Sequence, residues 1–160
     1  RIRHDRDFDV LIDYAHSPDA LDRVIKTVKD VCKGHLWLVF GCGGDRDTSK
    51  RRPMGRISAR ADGVIITNDN PRSETPQLIA DEIVVGAIEA GLEYSPHVHL
   101  GAVCVELDRA LAIERAIDAA QPGDFVLIAG KGHETYQEQN GTRIDFDDLE
   151  VARRILAGDP

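Results

Sequence analysis

The sequence has few cysteines: Cys32, Cys42 and Cys104 are the only three, with no C-x-x-C pair among them. An odd, scattered set of thiols indicates neither a disulfide framework nor a zinc cage. No apolar run approaches the length of a membrane span, and no charged-then-apolar leader opens the chain, so no membrane partner is expected and a soluble, cytoplasmic protein is. Positive charge is also short: the formal balance is -8. That argues against nucleic acid as a partner, because phosphate neutralisation by basic side chains is the main term in such binding. Two nucleotide fingerprints are missing as well. Neither G-x-x-x-x-G-K-[ST] nor G-x-G-x-x-G occurs, which excludes an independent P-loop hydrolase and a dinucleotide-binding dehydrogenase. Internal repeats and low-complexity tracts are absent too.

What is present fits one domain. The 160 residues, 42% of them hydrophobic, suffice for a single self-supporting core. Short β-branched or apolar runs alternate with helical periodicity. Phe8 to Tyr14, His35 to Phe40, Gly63 to Ile66 and Asp124 to Ala129 read as strands buried on both faces. Between them the patterns predict helices over Pro18 to Cys32, Arg52 to Arg60, and from Pro76 onward with Leu78, Ile79, Ile83, Val84 and Ala87 inward. A strand at His97 to Leu100, a helix from Ala102 to Ala120, a hairpin turning at Asn140-Gly141 and a helix from Asp147 to Leu156 complete the reading. The expected fold is therefore α/β, a Rossmann-like, doubly wound and mostly parallel sheet with a C-terminal β-hairpin. Residues 8–160 form the domain. The charged opening Arg1 to Asp7, which has no period, reads as the remnant of an interdomain linker.

Candidate chemistry gathers where strands end. Asp69-Asn70-Pro71-Arg72 follows the Gly63 run at the carboxyl edge of the sheet, where open α/β folds bind ligands. It offers amide donors and acceptors, a rigid proline and a guanidinium fork suited to a carboxylate, although Asp-Asn-Pro is also ordinary turn chemistry. Asp13 and His16 lie on the loop before a helix capped by Ser17-Pro18, where free N–H groups favour an anion. Solvated or self-bonded loop residues are the alternative. Gly41 to Gly44 let the backbone approach a ligand. Arg46 leaves that loop between Asp45 and Asp47, which would hold its guanidinium while one edge reaches a carboxylate, or would simply form a surface ion-pair cluster. Gly130-Lys131-Gly132-His133-Glu134 follows another buried strand, with Glu134 an acceptor for an ammonium group. Lys50, Arg51, Arg52, Arg56 and Arg60 join Arg46 in a basic segment, of which Arg56 and Arg60 read as a solvated helix face. His97 and His99, alternating on the expected strand, lack a third ligand, and no metal site is expected.

Taken in order, Asp13-Tyr14-Ala15-His16-Ser17-Pro18, Gly41-Cys42-Gly43-Gly44-Asp45-Arg46-Asp47, Asp69-Asn70-Pro71-Arg72 and Gly130-Lys131-Gly132-His133-Glu134 resemble the C-terminal domain of the Mur ligases. Among these the D-N-P-R motif goes with members that add meso-diaminopimelate to UDP-MurNAc-L-Ala-D-Glu in peptidoglycan synthesis. The resemblance covers nearly the whole chain. It implies that Arg46, Asp69, Asn70, Pro71, Arg72, Gly130 and Glu134 bind diaminopimelate, and that Asp13 and His16 contact ATP. It also implies a larger enzyme, whose N-terminal and central domains supply the UDP-sugar pocket, the P-loop and most of the magnesium coordination. ATP would phosphorylate the D-glutamate γ-carboxylate, and the amine held by this domain would attack it. The fragment alone would be inactive. Lys50-Arg51-Arg52-Pro53 departs in spacing from the family's commoner K-R-P-x-M-G form. Folylpolyglutamate synthases share the architecture but usually carry D-G-A-H-N-P, which Tyr14 and Ser17 do not match. A non-catalytic amino-acid-binding module is the reading from another class.

Overall fold

The computed structural model describes residues 1–158. Strands β1 (Asp9–Asp13), β2 (Leu36–Phe40), β3 (Gly63–Ile66), β4 (Glu93–Tyr94), β5 (Ala102–Val105) and β6 (Phe125–Ala129) form one sheet in the order β1-β6-β2-β3-β5-β4. Every pairing in it is parallel. The central strands β2, β3 and β6 are buried along their whole length, as their uninterrupted apolar runs require. Alternation persists beneath that apolar uniformity. Leu36, Leu38 and Phe40 join one core with Leu21, Ile25, Met54 and Ile83, while Trp37 and Val39 join a second with Ile113, Ile117 and Ala152. Helices α1 (Pro18–Lys29), α2 (Arg51–Ser58) and α3 (Pro76–Glu89) cover the first face, and α4 (Arg109–Ala119) and α5 (Asp148–Ala157) the second. A doubly wound sheet results.

The hairpin β7 (Tyr136–Gln139) and β8 (Thr142–Asp145) is antiparallel. Its turn residues Asn140 and Gly141 both have positive φ, at 50° and 74°, the geometry that joins strands of right-handed twist. At the other end of the chain, the Ile2 N–H donates to the Val10 carbonyl and the Ile2 side chain is buried.

Two elements differ from the sequence reading. His97 to Leu100 is not a strand; the strand begins at Ala102, after Gly101 turns with φ 80° and donates its N–H to Asp62. The residues read as the first turns of a helix are therefore β5 and a loop. Val103, Leu107, Ala110 and Leu111 mimic a helical stripe across that boundary, but the helix starts only where the Asp108 carboxylate accepts from the Leu111 N–H. Leu78 also lies outside the buried stripe of α3, at 61% exposed. The inward residues there are Ile79, Ala80, Ile83, Val84 and Ala87.

Candidate functional site

Because the sheet is parallel, the loops leaving β1, β2, β3 and β6 emerge on one edge. They enclose a polar cavity of about 350 Å³ lined by Tyr14, His16, Gly43, Arg46, Asp47, Lys50, Asp69, Asn70, Arg72, Gly130 and Glu134. Of the residues singled out from sequence, Arg46, Asp69, Asn70, Arg72, Gly130, Glu134 and His16 share this cavity. Asp13 and Pro71 do not line it. Asp13 accepts the Ala15 N–H on one carboxylate oxygen and the Gly130 N–H on its carbonyl, so it braces the rim. Pro71 instead lines a neighbouring cavity against the hairpin, with Asn68, Gln137 and Ile144, and its carbonyl accepts from the Glu74 N–H.

Backbone approach explains the glycines. A Cβ on Gly41 would fall 2.0 Å from the Thr67 carbonyl oxygen, and one on Gly44 would fall 1.9 Å from that of Pro71. The Gly44 N–H donates to the Asn70 carbonyl at 2.8 Å. The β2 loop is thus laid directly on the β3 loop, and only glycine allows that contact. Gly44→Ala is expected to push the loops apart, destabilising the protein by about 1–3 kcal/mol as overpacked sites do. Urea unfolding measures the stability change, and a loss below 0.3 kcal/mol (an order-of-magnitude threshold) would show that the contact is slack.

Asp45 has φ 52° and accepts from both the Ser73 hydroxyl, at 2.7 Å, and the Ser73 N–H, while its own N–H donates to Glu74. Asp47 accepts from Ser49 in the same way. The expectation that these two acids grip Arg46 is therefore corrected: each is committed to a serine, and Arg46 forms no ion pair among the described residues. Its exposed guanidinium remains available at the cavity. The other arginines of the basic segment are paired with carboxylates. Arg51 is buried against Glu74 and Glu82, Arg52 and Arg56 meet Glu89, and Arg60 meets Asp22. Arg56 and Arg60 are thus paired, not simply solvated. Lys50 donates to the His16 carbonyl at 2.8 Å, tying the β1 loop to the β2 loop, and the His16 ring bonds the Tyr14 carbonyl of its own loop.

These commitments lower three acidic pKa values. The Ser73 hydrogen bonds lower Asp45, those of Ser49 lower Asp47, and the Arg51 hydrogen bond lowers Glu74. A carboxylate depressed in the folded state stabilises fully above its unfolded pKa, and the contribution is lost as pH falls through the folded value. Asp45→Asn should therefore cost stability at neutral pH. The gap from wild type should close as pH drops below the ordinary 3.8. Thermal unfolding followed from pH 7 to below 3 (roughly the carboxylate range) checks this; a gap constant with pH would remove Asp45 as its source.

The opposite wall centres on Asn70. Its Oδ1 accepts from the Glu138 N–H at 3.0 Å and from Lys131 Nζ at 3.1 Å, and its Nδ2 donates to Glu134 Oε2 at 3.1 Å. Two donors on one side set the amide orientation. Arg72 sits in left-handed backbone, φ 53°, with its N–H on the Glu138 carbonyl and its own carbonyl accepting from Asn140. The hairpin therefore fixes the direction in which the side chain leaves. Nη1 donates to the Gly44 carbonyl at 2.7 Å, and Nε lies 3.9 Å from Glu138.

Beneath these loops lies a feature with no local sequence signal. Arg109 and Asp148 are both completely buried and form a two-pronged pair, each contact 2.8 Å. Burial alone would lower the Arg109 pKa, but the carboxylate partner keeps it raised. Two further N–H groups of Arg109 donate to the Asn68 and Ala129 carbonyls, each at 3.1 Å. One guanidinium thus holds the roots of both loops against α5. Lys131, also fully buried, was likewise not marked as functional by sequence.

Among the described residues no group of three or more His, Cys, Asp or Glu could hold a metal ion, and no helix is long and apolar enough to cross a membrane. His97 and His99 lie outside any strand, and the His99 ring bonds the Leu100 carbonyl. Cys42 and Cys104 are free and buried, and burial pushes their thiols up to about 12 and about 11.

The parallel α/β domain thus presents Arg46 and Arg72 together with Glu134 in one cavity at the carboxyl edge of its sheet. The chain belongs to the Mur ligase family: the family's "Mur ligase, glutamate ligase domain" matches residues 1–132. It is 53% identical over 157 residues to the UDP-N-acetylmuramoyl-L-alanyl-D-glutamate--2,6-diaminopimelate ligase of Synechococcus elongatus, covering 98% of this chain and 30% of that protein. The ligase of the same name from Aquifex aeolicus is 45% identical over the same length and shares. A solved structure of a ligase with that name superposes with a TM-score of 0.85 at 42% identity, over 99% of this chain and 31% of the other. The chain thus spans less than a third of the curated relatives it matches.

Proposed function

We propose that this chain is the amino-acid-binding domain of an ATP-dependent amide ligase that joins meso-diaminopimelate to UDP-MurNAc-L-Ala-D-Glu during peptidoglycan synthesis in the cytoplasm. The observation that carries the reading is the cavity's mixed charge: Arg46 and Arg72 face it together with Glu134. A diaminopimelate end bears a carboxylate beside an ammonium, and such a pair needs partners of both signs. Lysine supplies only the ammonium and would leave a guanidinium without its anion.

Arg72 and Arg46 take the distal carboxylate, Glu134 takes the distal ammonium, and Gly130 leaves room for the chain of the substrate. Asn70 acts by holding Glu134, and Asp69 by holding Lys131. At the rim, Asp13 retains one carboxylate oxygen outside its bond to Ala15, which fits a ribose hydroxyl, and His16 stands at the start of α1 near where nucleotide phosphates would lie. Bound ATP supplies the phosphoryl group that activates the acceptor carboxylate. In the longer enzyme, magnesium would be held mainly by the central domain. This domain's own contribution is to orient the attacking amine, an effect of proximity. Steady-state assays of the full-length enzyme should show strong preference for meso-diaminopimelate over L-lysine. Equal use of the two would overturn the substrate assignment.

A further inference from the structure

We propose that Lys131 is a specificity-determining positioning residue: it balances the charge of the cavity wall so that a zwitterionic substrate end is preferred to a purely cationic one. The inference rests on the diaminopimelate reading above and extends it to a residue that does not line the cavity. Two carboxylates, Asp69 and Glu134, stand on this wall. A diaminopimelate end brings one ammonium, and its carboxylate brings another negative charge. Without a further cation the wall would present more negative charge than one ammonium can match, and it would favour lysine.

Lys131 supplies that cation from behind. Its Nζ donates to Asp69 Oδ1 at 3.3 Å and Asn70 Oδ1 at 3.1 Å, and lies 3.6 Å from Glu134 Oε2. The Tyr136 ring closes the remaining side, with its centroid 5.6 Å from Nζ. The lysine side chain is fully buried, whereas those of Asp69 and Glu134 retain 12% and 26% exposure. The charge is therefore held away from solvent, where screening is weak. Both of Glu134's side-chain contacts, with Asn70 and Lys131, fall on Oε2. Oε1 is thereby left as the oxygen offered to a ligand ammonium. Lys131 never needs to touch the substrate to act on it: it cancels Asp69 and turns Glu134.

The test is substrate selectivity in the full-length enzyme. Lys131→Met removes the charge at similar volume. It should raise KM for meso-diaminopimelate at least tenfold (about 1.4 kcal/mol), lower KM for L-lysine, and leave KM for ATP unchanged. A residue that merely supported the fold would weaken both amino acids together. The double variant Lys131→Met/Asp69→Asn removes one charge of each sign and should return the preference to near the wild-type ratio. That second arm holds even if the single variant does not fold, because the double leaves no unpaired Asp69. Parallel loss of both substrates in the single variant, or no recovery of the ratio in the double, overturns the proposal. If the wild type itself shows no preference, the substrate reading fails instead, and the two failures are distinguishable.

Discussion

Replacing Arg72 with alanine is expected to lower kcat/KM for meso-diaminopimelate by roughly ten- to a hundredfold, the equivalent of about 1.5–3 kcal/mol for a charge-assisted pair. The weak reaction with L-lysine should be nearly untouched, because lysine has no distal carboxylate to lose. The direction of the side chain is built into the main chain: φ of 53° and two backbone hydrogen bonds to the β7–β8 hairpin aim it along the Gly44 loop. Two of the three guanidinium nitrogens face protein groups, with Nη1 on the Gly44 carbonyl and Nε toward Glu138. Nη2 has no protein partner among the described residues, and its N–H groups are the donors available to a carboxylate. Arg72→Lys keeps the charge but not the fork, so it should fall between wild type and alanine. Steady-state assays of both amino acids decide the point. Equal losses for the two substrates would assign Arg72 to the common amino-acid end or to the loop contact alone.

Asp148→Ala should be the most destabilising single change. It leaves the Arg109 guanidinium completely buried without its anion, and breaking one side of a buried pair costs about 3–5 kcal/mol. For a domain of this size that corresponds to a fall in Tm of about 6 to 20 °C. The double variant Arg109→Met/Asp148→Leu removes both charges and should regain most of the lost stability, since apolar replacements of buried pairs are often neutral or better. Its activity should not recover with its stability. Arg109 also donates to the Asn68 and Ala129 carbonyls, where two of the cavity loops begin, and methionine donates nothing. Calorimetric unfolding and activity assays together test the pair. A double variant as active as wild type would reduce Arg109 to a stability element.

The parts legible in sequence were those with a local cause. Buried runs such as Leu36 to Phe40 and Phe125 to Ala129 announce parallel strands because no polar residue interrupts them. Ser17-Pro18 and Asn140-Gly141 announce a helix start and a hairpin because their backbone chemistry is narrow. The four loops could be placed on one edge because parallel strands leave no other arrangement. Tertiary causes stayed hidden. Arg109 follows a helix cap and looks like any exposed first-turn residue; only the fold brings Asp148 to it across 39 positions. Lys131 sits between two glycines in what reads as a charged loop, yet it is fully buried. Asp45 and Asp47 flank Arg46 in sequence, but serine hydroxyls take them both. The His97 to Leu100 strand failed because a helical period ran by coincidence through Ala102–Val105.

The structure of the full-length enzyme with meso-diaminopimelate bound tests the central claim most directly. The distal carboxylate should lie within hydrogen-bond distance of Arg72, with Arg46 beside it, and the distal ammonium should lie on Glu134 Oε1 above the Lys131 charge. A diaminopimelate molecule bound away from this cavity, or with its distal end turned from Arg72 and Glu134, would contradict the account.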